Sequence, residues 1–403
     1  MERFVEQIDR WISDNSVRAL EFLQEMIRTP SPSGEEEELG KLVASRMDEW
    51  GYDTSTTDDL GDAMGVIKGD SHGQSLLMNG HIDHVPVGEM VDPYSAKIID
   101  GARVGVEGKV VYGRAASDMK GAVASMVMAG VALREMGLEI GGDYKVAAVA
   151  QEEVGGRGTI STIEDSNFLG DVVIIGEATD MDLALGHRGT IKFSVLVRGR
   201  SCHASAPERG VNALYSAMRM INRIREDLEP KLPDHPLYDP TSLVVTQIDV
   251  KPKALNVVPE ECRFYIDCRN TPNYPAEELK RDLEEIADEL GEEDPEFEAF
   301  VIPDPVLKGQ RGFTGFYTDP EKFPVVREVE DAMTDAMGRS PERKTWTFAT
   351  DGRFYSWLGY PVIGFGPGEE RFAHTTMDHV KVEDYLETIK VYASIAARIC
   401  GVK

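Results

Sequence analysis

The chain has 403 residues, 41% of them hydrophobic, enough for two or three domains with a large core. Asp and Glu number 71 against 43 Lys and Arg, and a net charge of −28 argues against nucleic acid or an anionic membrane as partner. The acids are spread along the chain and read mostly as a solvated surface. Four cysteines without a CxxC pair, and no apolar run of about 18 residues, point to a cytoplasmic protein with no disulfide framework and no membrane span.

In chain order, residues 1 to about 50 read as helices, with Phe4, Ile8, Trp11 and Ile12 at helical spacing. The opening run MERFVEQIDRWISDN is too charged for the apolar core of a signal peptide. Short apolar runs at 75–78, 144–150 and 172–175 read as buried strands, and residues 121–136 as a helix apolar on one face. This alternation predicts an α/β layer with a mainly parallel sheet. After about residue 185 the pattern changes. A half-exposed strand at 191–197 is followed by a helix at 212–228, strands at 242–248 and 263–269, and a helix at 276–290. That order predicts a small α+β domain with an antiparallel sheet. The α/β pattern resumes with a helix at 326–337 and a strand at 361–365. The expected organisation is one α/β domain over 1–184 and 301–403, interrupted by an inserted α+β domain over 185–300.

The residues suited to chemistry stand at the strand ends, where ligands of open α/β sheets bind. His81 and Asp83 lie in NGHIDH, just past the strand at 75–78. Extended geometry puts both on one side, so that Asp83 can accept the second ring N–H of His81 and fix its tautomer. Alone, such a pair reads equally well as a polar surface loop. Asp118, in GRAASDMKG, precedes the helix at 121, where a lone carboxylate is more often a cap. Glu152 and Glu153 end the strand at 144–150, and two adjacent acids there are costly unless exposed or engaged. Glu177 follows the strand at 172–175 and His374 follows the strand at 361–365. Each has an ordinary structural alternative. Together they place two imidazoles and several carboxylates on one edge of one sheet. Such a set suits a bridged pair of Zn-like ions, with a spare glutamate as general base. Read from the residues alone, His203 beside Cys202 is a helix-start residue and Arg269 a surface partner of Asp267. His187 and Arg188 read as turn residues, and the cysteines as packing residues.

These motifs, in this order and spacing, resemble the M20 family of co-catalytic zinc metallopeptidases and deacylases. The likeness runs over nearly the whole chain, through GHID, SDMKG, QEEVGG, GEAT, SCHASAPERGVNA, NVVP, IDCR and the late His374. Within the family it points to the acetylornithine deacetylase and succinyl-diaminopimelate desuccinylase branch. CHASAPERGVNA, ATDG and PVIGFGPG are similar to the YgeY-type hydrolases linked to selenium metabolism. The resemblance implies that Asp118 bridges two divalent ions, Zn first and Co or Mn as alternatives. His81 and Glu177 would complete one site, and Glu153 and His374 the other. Glu152 would be the general base and acid, and Asp83 would orient His81. The inserted domain would be the lid and dimerisation domain of a homodimer. His203 would reach the active site of the partner subunit and stabilise the oxyanion, and Arg269 and Asn256 would grip the substrate carboxylate or its neighbours. The implied activity is hydrolysis of the amide bond of an N-acyl amino acid by metal-activated water. A dipeptidase or carboxypeptidase on small peptides is the alternative among enzymes. A non-catalytic metal-binding regulator is the alternative outside them, and the retention of both Glu152 and Glu153 speaks against it. Asp378 stands where many relatives carry glutamate, four residues after the late histidine, a departure expected to alter local hydrogen bonding but not the ligands.

Overall fold

A computed structural model describes residues 2–303 and 315–402. Among these, the chain forms two compact units, one built from residues up to Gly186, Thr318–Trp346 and the chain from Thr350 on, the other from His187–Tyr317 and Thr347–Ala349. Residues 304–314, within the range expected for the catalytic domain, lie outside the described residues.

The first unit is mixed α/β around one sheet. Its strands run in the order Thr54–Thr57, Ala63–Ile67, Tyr144–Val149, Leu76–His81, Val172–Ile175, Val362–Gly364 and Leu183–His187, with Arg343–Trp346 joined to the last. The middle of the sheet is parallel: Leu76–His81 pairs in parallel with both neighbours, and Val172–Ile175 with Val362–Gly364. The flanks are antiparallel. Strands buried on both faces read as unbroken apolar runs, which is why the central ones are visible in the sequence. The edge strand Thr54–Thr57, and a separate three-stranded sheet of Lys97–Asp100, Lys109–Tyr112 and His379–Lys381, are short and partly exposed and carry no such mark.

The helix Gly121–Glu135 differs from the amphipathic one expected. Every residue from Gly121 to Leu133 is buried, because the helix packs against the Leu76–His81 and Tyr144–Val149 strands and also against the helices Glu2–Arg28 and Val382–Ala396. A helix enclosed on all sides needs no polar face. Gly80 admits this packing. A Cβ there would meet Met119 Cε at 2.5 Å and Val123 Cγ2 at 2.9 Å. The start of the helix, which follows Asp118, is thereby brought against the end of the strand that carries His81.

The second unit holds a four-stranded antiparallel sheet in the order Ser242–Lys251, Glu261–Asn270, Gly189–Arg198, Glu298–Pro303. The sheet extends past residue 300, since Glu298–Pro303 pairs with Gly189–Arg198. Alternate residues Cys262, Phe264, Ile266 and Cys268 point into a core closed by the helices Ala213–Arg223 and Ala276–Glu293. Asn212 caps the first of these by accepting the N–H groups of Leu214 and Tyr215. No helix among the described residues is long and apolar enough to cross a membrane.

Candidate metal centre

The first unit brings six dispersed side chains to one end of its sheet. His81 is the last residue of its strand, not the first beyond it, and is 2% exposed. Glu152 and Glu153 follow the Tyr144–Val149 strand after Gln151, whose φ of +57° breaks the strand direction. Glu177 lies just beyond Val172–Ile175 and is buried. His374 follows the turn Glu370–Phe372 and itself has φ of +62°. Left-handed backbone at non-glycine residues is uncommon and clusters at functional sites. Asp118 does not cap the helix after it. Its φ of −130° and ψ of 88° lie outside helical geometry, and no side-chain cap serves that helix.

The contacts form a chain centred on Asp118. Its Oδ1 lies 2.9 Å from Nε2 of His81, and its Oδ2 lies 2.9 Å from Nε2 of His374. Glu177 Oε1 is 3.8 Å from the same nitrogen of His81, and Glu153 Oε1 is 2.8 Å from that of His374. Tetrahedral ligands about 2.0–2.2 Å from a zinc ion stand roughly 3.3 Å from one another. The separations on the His81 side, 2.9 and 3.8 Å, bracket that value, and those on the His374 side, 2.9 and 2.8 Å, fall about half an ångström short of it, so the donors stand close to the spacing for one cation per imidazole with Asp118 shared. One ligand atom each from His81, Asp118 and Glu153 lies within 4.8 Å of the others, and the same holds for His81, Glu152 and Glu177. Glu177 Oε2 is buried with no hydrogen-bond partner. That arrangement costs about 1–3 kcal/mol in a site that serves nothing, and an electropositive occupant would remove the cost.

Electrostatics follow from burial among acids. Burial lowers the basicity of His81, but its hydrogen bonds to Asp118 and Asp83 outweigh this and hold it well above the usual imidazole range. The carboxylates of Asp118 and Glu153 push His374 up to about 10. Burial works against the charge of Asp118, yet the two imidazoles hold its carboxyl well below the usual range. Burial, and next the Asp351 carboxylate, push Glu152 well above it, and burial with Asp118 does the same for Glu177. A centre with this much uncompensated acid draws protons or cations.

Asp83 ties the parts together. Its Oδ1 is 3.4 Å from Nδ1 of His81, while its own carbonyl accepts that ring nitrogen more closely, at 3.1 Å. The same carboxylate accepts the N–H groups of Glu152 at 3.0 Å and Glu153 at 3.3 Å, and the hydroxyl of Ser33 at 2.6 Å. Two further buried acids hold the loop just before: Asp62 accepts the N–H of Ala150 at 2.6 Å, and Glu36 that of Gln151 at 3.1 Å. Sequence reasoning missed Ser33, Glu36, Asp62 and Asp351. Glu36 in particular lies in the run GEEEE, which reads as solvated surface, yet it is 1% exposed.

The remaining candidates lie in the second unit. His203, exposed, belongs to the short strand Cys202–His203 paired with Val257–Val258, and its Nδ1 lies 2.8 Å from the hydroxyl of Ser205. It starts no helix. Asn256 is exposed, and its carbonyl accepts the N–H of Ala204 at 2.9 Å. Arg269 donates to Asp267 at 2.9 Å and to Thr190 at 3.1 Å, the surface pairing weighed from sequence. His187 is buried, with Nδ1 2.8 Å from the carbonyl of Arg188 and its ring edge-on to Phe316.

Residues 185–295 match the model of the peptidase dimerisation domain. The chain is 31% identical over 335 residues to an acetylornithine deacetylase of Myxococcus xanthus, covering 81% of this chain and 80% of that protein. It is 28% identical over 390 residues to protein YgeY of Escherichia coli K12, covering 93% and 92%. Among solved structures, YxeP of Bacillus subtilis, described as a dinuclear metal-binding peptidase of the M20 family, superposes with a TM-score of 0.71 at 14% identity, over 96% of this chain and 99% of that one.

Proposed function

The chain belongs to the M20 family of metallopeptidases and deacylases and is a hydrolase, and from there we propose that it cleaves the amide bond of N-acyl amino acids at a two-cation centre. The ligands are His81, Asp118 and Glu177 on one side and Asp118, Glu153 and His374 on the other. The observation that carries the reading is the placement of Asp118, with one oxygen 2.9 Å from each imidazole. A carboxylate that spans two histidines is what a bridged pair of ions requires. The nitrogen and oxygen donors suit Zn best, with Co or Mn next.

Two such ions, when bound, supply Lewis-acid polarisation and the activation of water. The chain supplies the rest. Glu152 takes the proton of the attacking water and returns it to the leaving nitrogen, a transfer worth roughly 10²–10⁴-fold in rate. Half-buried among acids, its carboxyl is raised above the usual range and holds a proton more tightly than an exposed glutamate does. Asp83 steadies the ring of His81 and the backbone that carries Glu152 and Glu153. By family pattern, His203 serves the oxyanion and Arg269 and Asn256 the substrate carboxylate. The unit built from residues up to Gly186, Thr318–Trp346 and the chain from Thr350 on acts as the catalytic domain, and the unit of His187–Tyr317 and Thr347–Ala349 as the lid and dimerisation domain of a homodimer. Four unpaired cysteines suit a reducing cytoplasm. Similarity to an acetylornithine deacetylase supports the acyl amino acid as substrate class.

The test is a panel of N-acetyl and N-succinyl amino acids beside dipeptides, assayed with Zn, Co or Mn. At least one acyl amino acid is expected to turn over faster than every dipeptide. The reverse order makes the protein a dipeptidase. Absence of turnover throughout, with two cations bound, removes the catalytic reading.

A further inference from the structure

Asp378 lies four residues beyond His374 and is 1% exposed, but its carboxylate serves a distant segment. Oδ2 accepts the N–H of Ala115 at 2.6 Å, and Oδ1 accepts the N–H of Ser117 at 2.9 Å. Nη1 of Arg114, itself 2% exposed, is 3.3 Å from Oδ2. The backbone closes the same join. Gly113 donates to the carbonyl of Asp378 at 3.2 Å, and the strand His379–Lys381 pairs with Lys109–Tyr112. Ala115 has φ of +66°, and left-handed backbone of this kind turns nearby N–H groups toward a common anion. Ser117 immediately precedes Asp118, whose non-helical φ and ψ mean that the following helix does not set its direction.

We propose that Asp378 is a positioning residue for the bridging carboxylate. By holding the Ala115–Ser117 backbone against the loop of His374, it sets the 2.9 Å approach of Asp118 Oδ2 to His374 Nε2. It thereby tunes the affinity for the cation held by Asp118, Glu153 and His374, and leaves the cation on His81 and Glu177 largely untouched. An asparagine cannot do the same. It offers one acceptor where two N–H groups must be met, and it leaves the Arg114 guanidinium buried without its counter-charge. The inference rests on the two-cation reading above.

The test is calorimetry of Zn binding to chelator-treated wild type, Asp378→Asn and Asp378→Glu, with the absorption spectrum of Co-loaded protein as a second measure of each site. Wild type is expected to bind two cations. Asp378→Asn is expected to keep one affinity and weaken the other by roughly 10- to 100-fold, the range for groups that orient metal ligands. Asp378→Glu, which keeps the carboxylate, is expected to recover part of the loss. A purely structural role would lower the melting temperature of the metal-free variant and leave both affinities of the folded protein at wild-type values, which overturns the proposal. If Asp378→Asn does not fold, Arg114→Gln carries the same comparison, with a smaller loss confined to the same cation. Wild type that binds fewer than two cations defeats the two-cation reading itself. Two cations bound equally well by wild type and variants defeat only the role of Asp378.

Discussion

Three donors converge on the Asp83 carboxylate from Ser33, Glu152 and Glu153, and none of them is near it in sequence. The centre depends throughout on such joins, and its consequences can be measured one residue at a time. Glu152→Ala is expected to keep both cations by elemental analysis and to lose roughly 10²–10⁴-fold in turnover; a near-wild-type rate would dismiss Glu152 as the base. His81 and His374 hold protons against their carboxylate neighbours. Metal ligands must be deprotonated, so Zn binding near pH 8 should release at least one proton, the one that His374, raised to about 10, still holds there. Calorimetry in buffers of different ionisation enthalpy reads that number directly. Asp62 has the opposite problem of a buried charge, with burial pushing its carboxyl up to about 8 from 3.8. Between those values the folded chain keeps a proton that the unfolded chain has lost. The stability from this group is therefore complete below the lower value and disappears as pH rises toward the upper one. Asp62→Asn is expected to flatten that part of the melting-temperature curve of chelator-treated protein; an unchanged slope would refute it.

At the scale of elements, hydrophobic pattern was a good guide where burial is one-sided or total. The strand Val172–Ile175 is an uninterrupted VVII, and Glu261–Asn270 alternates in burial. The pattern was silent for Lys97–Asp100 and His379–Lys381, whose partners rather than their own side chains make them strands. In the helix Gly121–Glu135 an apolar sequence was legible, but its enclosure on all sides was not. The edge strand Ser242–Lys251 exposes Val244 and Ile248, and the helix Ala213–Arg223 exposes Tyr215 and Met218. An unpaired apolar edge invites pairing with another chain. If this unit makes the proposed homodimer, Val244→Lys with Ile248→Lys should give a folded monomer by light scattering and circular dichroism. A dimer unaffected by both charges would place the interface elsewhere.

At the scale of the whole molecule, a bound cation adds stability because the unfolded chain has no preformed site. Removal of metal by a chelator should abolish turnover and lower the melting temperature. At a free cation concentration about 1,000 times Kd, the stabilisation lost is about 4 kcal/mol. Equal melting of loaded and stripped protein would mean that no preformed site exists. The sequence by itself determined the α/β class and the family, showed a second unit interrupting the first, and singled out His81, Asp118, Glu152, Glu153, Glu177 and His374 as candidates, because periodic apolar runs and motif spacing are local properties of a chain. Only the tertiary structure decided that Asp118 faces both imidazoles, that Asp83 accepts the N–H groups of Glu152 and Glu153 and Asp378 those of Ala115 and Ser117, and that Glu36 and Asp62 are buried acids rather than surface charge. Those facts depend on hydrogen bonds between segments far apart in the chain, 263 residues from Ala115 to Asp378, and on burial. Both arise only when the sheet and its helices close.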